Sequence, residues 1–185
     1  MKKILFIIGS LRKESFNRKL ALMAEQQIAG RAIVEYLDYA TVPLLNQDIE
    51  FPAPEAVTNV RNKVAEADGL WIFSPEYNYS YPGALKNLID WLSRPLVAGD
   101  RQSPLAIHGK KTTLSGAGGA MATAKCREKL TELLTLPFIC ADVMKEPQTG
   151  ITLGAAAWTE GKMTLTAEQE EALSRQTEAF LAFLG

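Results

Sequence analysis

Two cysteines and a single histidine in 185 residues leave little material for metal or disulfide chemistry. Cys126 and Cys140 form no CxxC pair and His108 stands alone, so neither a zinc site nor a disulfide framework is expected. Both thiols read as reduced interior residues, because free cysteine usually packs as a small hydrophobe. His108 follows "PLAI" in a loop and reads as structural rather than catalytic. No apolar run approaches the roughly 18 residues of a membrane span. The opening Met1-Lys2-Lys3 leads into only five apolar residues before Gly9, too few for the apolar core of a secretion signal. A cytoplasmic protein without a membrane partner is the expectation. An excess of charge of one sign is missing too. With 20 basic and 21 acidic side chains the net charge is −1, which provides no basic field for nucleic acid, so any anion site must be local.

Familiar phosphate motifs are also absent. No G-x4-G-K-[ST] string occurs, and "GAGGAM" from Gly116 lacks the third glycine of a dinucleotide fingerprint.

What is present is an alternation of apolar strands and helical periods in a chain that is 47% hydrophobic and 22% charged. That length buries about 70% of its unfolded surface, enough for one core, and residues 1–185 read as a single domain. "ILFII" (4–8) and "GLWIF" (69–73) are continuously apolar, the pattern of strands covered on both faces. Further strands are expected at 32–37, 111–114 and 137–143, and helices at 15–29, 55–67, 83–94, 121–134 and 166–184. Pro82 and Pro95 bracket the third helix, and Thr166 with Gln169 suits a capping box at the last. Residues 161–164 suit a turn or small hairpin. Residues 43–54, with three prolines, read as a mobile loop near the functional cleft.

Repeated strand–helix alternation predicts an α/β fold, a flavodoxin-like doubly wound five-stranded parallel sheet of order 2-1-3-4-5 with helices on both faces. Ligands of such sheets bind beyond the carboxyl ends of strands 1 and 3. The first strand ends without an acidic pair and the third without an aspartate, which excludes a phosphorelay receiver on this fold.

The loops after those two strands carry unusual chemistry. In "GSLRKESFN" (9–17), Ser10, Ser15 and Asn17 offer hydroxyl and amide donors and Arg12 a planar cation, just before a helix N-terminus that favours anions. Ser15 also suits a simple helix cap, and Arg12 a solvated surface charge. In "SPEYNYSYPG" (74–83), Tyr77, Tyr79 and Tyr81 put three rings where a polar connection is the norm. They fit either the edge of a core or a flat aromatic ligand. The connection at 115–120, "SGAGGA", would let a planar ring approach the backbone. A phosphate end, an aromatic middle and a glycine wall match the parts of flavin mononucleotide (FMN).

"GSLRKESFNRKLA" and "SPEYNYSYPGALKNLIDWLSRP" resemble the paired signatures of the NADPH-dependent FMN reductase family, a flavodoxin-like group that includes bacterial quinone, chromate and azo-dye reductases. The likeness runs through "VPLLNQDIE" and "GAGGAMATAKCREKL" and thins after about residue 150. It implies that Ser10, Arg12, Ser15, Phe16 and Asn17 hold the FMN phosphate and its chain. It further implies that Pro75, Glu76, Tyr77 and Asn78 border the ring and ribityl through backbone groups, with Ser115 and Gly116 along the other edge. Either the FMN phosphate or the 2′-phosphate of NADPH suits Arg12. Family members are dimers or tetramers, commonly through the helix at 83–94. Trp91, off that helix's apolar stripe, would be covered by a partner subunit or by the domain's own core.

The activity implied is hydride transfer from NADPH or NADH through FMN to a small-molecule acceptor such as a quinone or free flavin, with no catalytic triad or metal. Two other readings use the same motifs: a flavodoxin-type electron carrier without substrate turnover, and a non-catalytic module binding another phosphate. Rapid NAD(P)H oxidation separates the first from an enzyme, and failure to take up FMN would favour the second.

Overall fold

The computed structural model describes residues 1–100 and 102–185. Its centre is a parallel sheet of β1 (Lys3–Ile8), β2 (Ile33–Tyr36), β3 (Gly69–Phe73), β4 (Lys111–Gly118), β5 (Asp142–Val143) and β6 (Thr149–Thr152). The order β2-β1-β3-β4-β5, with β6 also paired to β4, is the expected flavodoxin-like winding with a sixth strand added. The helices are α1 (Phe16–Ile28), α2 (Glu55–Glu66), α3 (Gly83–Leu92), α4 (Ala124–Leu134), α5 (Ala155–Glu160) and α6 (Ala167–Leu184).

The apolar runs acquire their meaning from strand alternation. Leu5, Ile7, Leu70 and Ile72 pack in one core with Val60, Val64, Leu88, Ile89 and Leu130 of α2, α3 and α4. Ile4, Phe6, Ile8, Trp71 and Phe73 face the opposite side, against Leu20 and Ala24 of α1 and Leu173 and Phe180 of α6. Both faces of β1 and β3 are therefore dry, which is why neither strand shows polar alternation.

Several boundaries differ from the sequence reading. β4 continues four residues past the expected Leu114 because Ser115, Gly116, Ala117 and Gly118 pair with Thr149, Gly150, Ile151 and Thr152 of β6. The expected strand at 137–143 shortens to Asp142–Val143. Before it, Cys140 N donates to Leu136 O at 2.8 Å and Ala141 N to Leu134 O at 3.0 Å, holding the chain in a turn. α4 begins at Ala124 rather than at residue 121, after Ala122 and Thr123 at φ 44° and 58°. No hairpin forms at 161–164; that segment is irregular after the left-handed Gly161 that ends α5. The capping box at Thr166 and Gln169 is present.

The loop at 43–54 is anchored at both ends. Pro43 O accepts from Asn87 Nδ2 and from Trp91 Nε1, each at 2.8 Å, and Leu45 N donates to Asn87 Oδ1 at 2.8 Å. At its other end the Glu50 carboxylate, nearly buried, takes two bonds from Arg94 at 2.8 and 2.9 Å. Trp91 is thus covered by its own chain. No helix among the described residues is long and apolar enough to cross a membrane.

Candidate functional site

The carboxyl ends of β1 and β3 meet at Gly9. Its N–H donates to Phe73 O at 2.8 Å, and the preceding carbonyl, Ile8 O, accepts from the buried Tyr39 hydroxyl at 2.7 Å. A side chain at position 9 would come within 2.8 Å of Ser74 Oγ, so glycine is what lets the two strand ends close up. From that junction the loops diverge around a cleft of about 250 Å³.

One wall is the β1–α1 connection. Ser15 is the N-cap of α1, its Oγ accepting from Asn17 N at 3.2 Å, and the first turn of the helix carries no acidic residue. The positive end of the helix dipole is therefore uncompensated beside the cleft. Asn17 is buried, with Oδ1 accepting from Ala117 N at 2.9 Å and Nδ2 donating to Ala117 O at 3.1 Å. Its amide bolts α1 onto β4 and leaves one N–H for anything else. Arg12 is exposed, with its guanidinium 5.0 Å from the Phe16 ring centroid and Nη2 donating to Glu14 O at 2.5 Å. That arrangement fixes the planar cation on the rim without spending it on a carboxylate.

The second wall is Pro75, Glu76 and Tyr77. The N-cap of α4, Thr123, makes no side-chain capping bond, and Glu76 Oε2 takes that role by accepting from Cys126 N at 2.9 Å. Tyr77 and Ser80 exchange backbone bonds of 2.9 and 3.0 Å around Asn78 and Tyr79, both with positive φ (51° and 58°). This is the two-residue turn that twists with its flanking strands, formed here without glycine. It carries Asn78 out of the cleft and sets Tyr79 against Lys125 and Glu128 of α4, while Tyr81 packs on the core. Of the three expected rings only Tyr77 lines the cleft.

The floor is Ala117, Gly118 and Gly119, a smooth stretch of backbone. Ser115 and Gly116, expected here, lie deeper. The Ser115 side chain is buried between Trp71 Nε1 at 2.9 Å and Gln176 Oε1 at 2.8 Å. Gly116 sits against the Ser74 carbonyl and Thr123 Oγ1. Because the strand continues, the residues that reach the cleft are shifted toward α4. Leu153 and Trp158 complete the cleft from the segment after β6. No sequence signal marked them, since six helical residues are too few to show a period.

Cys126 adjoins the site from below, its thiol donating to Ser74 Oγ at 3.3 Å. Burial is the dominant influence and pushes this thiol from 9.0 up to about 11. The folded state keeps that proton to higher pH than the unfolded chain. The associated stability is therefore complete below about pH 9 and is lost as pH rises toward 11. Cys140, expected inside, is exposed. At about pH 8 a thiol-selective disulfide reagent should label Cys140 in the native protein and Cys126 only after unfolding. Two fast thiols in the native protein would mean that Cys126 is not sealed.

Ser10, Arg12, Ser15 and the start of α1 form a donor set suited to a doubly charged phosphate, and the glycine floor suits a flat ring. The residues present thus fit FMN. A cleft of about 250 Å³ is smaller than sites that enclose a ligand of that size, so one face of the ring would remain open to a second molecule.

A family model described as NADPH-dependent FMN reductase matches residues 2–152. Among curated proteins, the chain is 32% identical over 179 residues to an NAD(P)H-dependent FMN reductase of Pseudomonas aeruginosa, covering 96% of this chain and 92% of that one. It is 39% identical over 128 residues, 68% of either chain, to a 2-hydroxy-1,4-benzoquinone reductase of a Burkholderia species. Among solved structures, the flavoenzyme NAD(P)H:(acceptor) oxidoreductase of Paracoccus denitrificans superposes with a TM-score of 0.85 at 28% identity, covering 100% of this chain and 97% of that one.

Proposed function

The chain belongs to the NADPH-dependent FMN reductase family, and on that premise we propose that it is an FMN-dependent NAD(P)H oxidoreductase that delivers hydride to a quinone. The observation that carries the reading is the junction of the phosphate-type loop at the start of α1 with the backbone floor Ala117–Gly119 in one open cleft. Bound FMN supplies the hydride chemistry. In this reading Ser10, Ser15, Arg12 and the first N–H groups of α1 hold the phosphate, with Phe16 and Asn17 fixing the geometry of that loop. Pro75, Glu76 and Tyr77 border the ring opposite the floor. Asn78, Ser115 and Gly116 act from behind, through the turn and the strand that shape those walls.

The α4 N-terminus favours negative charge developing on a reduced ring. Glu76 already occupies the end of that helix, which tempers the effect. A single open face serves the nicotinamide and the acceptor in turn, so the first product must leave before the second substrate enters. Residues 1–185 act as one FMN-binding domain, and the protein works in the cytoplasm as a homodimer or homotetramer through the helix at 83–94. Exposed Leu96 and Val97, just past the end of that helix, support the assembly, whose size sedimentation velocity reads directly.

The test is the visible spectrum of purified protein with FMN. A bound flavin spectrum that bleaches on anaerobic addition of NADPH, with parallel double-reciprocal lines for NADPH and quinone, is expected. A protein that takes up no FMN removes the reading, and intersecting lines remove the shared face.

A further inference from the structure

The family model ends at residue 152, and just beyond it the chain builds a wall of the cleft. Leu153 N donates to Gly118 O at 2.8 Å, which holds the chain against the floor as it leaves β6. α5 then brings Trp158 beside Phe16, edge to face, with ring centroids 5.9 Å apart. Trp158 lines the same cleft as Ser10, Arg12 and Ser15, yet it is 62% exposed. The other two tryptophans, Trp71 and Trp91, are fully buried.

α5 is fixed at its middle and at its C-terminal end. Ala157 is buried in the core, and Lys19 Nζ donates to Gly161 O at 2.7 Å, tying the end of α5 to α1. An indole presented on such a support loses little freedom when it meets a ligand, and its exposed face gains by covering one.

We propose that Trp158 is a flavin-binding residue: its indole packs on FMN at the Ser10–Phe16 end of the cleft and slows its release. The inference rests on the reading that this cleft holds FMN, and it assigns the retention of the cofactor to a segment outside the family match.

Three proteins test it: the full chain, Trp158→Phe and Trp158→Ala. Because the side chain is mostly in water, both variants should melt close to the parent. Labelled with 5-fluorotryptophan, the full chain carries three fluorine resonances, and the one missing from Trp158→Phe belongs to Trp158. FMN titration should move that resonance. FMN release, followed by recovery of flavin fluorescence on dilution, should be about tenfold faster in Trp158→Ala and intermediate in Trp158→Phe, the scale of one aromatic contact. A Trp158 resonance unmoved at saturating FMN, or release rates within about twofold in all three proteins, overturns the proposal and leaves the FMN reading standing. Absence of any flavin absorbance on the parent chain overturns both.

Discussion

Replacing Gly116 with alanine is expected to cost about 3 kcal/mol of stability and to weaken FMN binding with it. Gly116 pairs with Gly150 across the β4–β6 seam. A methyl group there would overlap the Ser74 carbonyl oxygen and Thr123 Oγ1. Neither neighbour can retreat cheaply. Ser74 N donates to Ser115 O at 2.9 Å, so moving its backbone breaks the β3–β4 ladder where it reaches the cleft. Thr123 already holds φ at 58° as the N-cap of α4, a conformation a β-branched residue rarely adopts. The relief must come from β4 parting from β3 or from α4 lifting off, and either displaces the floor at Ala117–Gly119. In a chain of this size the loss corresponds to about 6–12 °C in melting temperature. Gly119→Ala is the control, because a methyl there meets nothing within 4 Å. It should melt within about 1–2 °C of the parent. If Gly116→Ala melts as high as Gly119→Ala, close packing is not why glycine occupies position 116.

The same crowding explains what the sequence did and did not reveal. Gly69–Phe73 was legible to the residue because a strand buried on both faces writes itself as an apolar run. The capping box at Thr166 was legible because it is local. β4 beyond Leu114 was not, since Ser115, Gly116, Ala117 and Gly118 have the composition of a turn. Small residues are there because α4 and β6 approach the strand closely, and composition alone does not separate that need from a loop. β6 was invisible for a related reason: "TGIT" becomes a strand only by pairing with β4, more than thirty residues earlier. Once β4 is extended, the cleft-lining residues shift from Ser115 and Gly116 to Ala117, Gly118 and Gly119. The loops after β1 and β3, by contrast, announced most of their cleft residues through donors and rings placed before helix N-termini. Asn78 and Tyr79 left the set, turned away by their left-handed backbone, and Tyr81 turned to the core.

An even larger loss is expected from Gln176→Leu, about 4 kcal/mol and about 8–16 °C in melting temperature. The Gln176 carboxamide is fully buried on α6 and uses both ends. Oε1 accepts from Ser115 Oγ and from Thr149 N, each at 2.8 Å. Nε2 donates to Thr113 Oγ1 at 2.7 Å and to Leu114 O at 2.9 Å. Trp71 Nε1 extends the chain of bonds by donating to Ser115 Oγ at 2.9 Å. Leucine fills nearly the same volume, so the cost is polar rather than a cavity. The Thr149 N–H and the hydroxyls of Ser115 and Thr113 lose partners in a dry interior, at about 1–3 kcal/mol for each group left unsatisfied. Thr149 is the first residue of β6, and β6 leads directly to Leu153 and α5. Loosening it should therefore free the Trp158 wall as well, linking a core amide to flavin retention. Hydrogen exchange at the Thr149 amide gives the local readout, with exchange in Gln176→Leu accelerated well beyond that of amides in β1. A Thr149 amide as protected as in the parent, in a protein of unchanged melting temperature, would mean that β6 is held by its ladder to β4 alone.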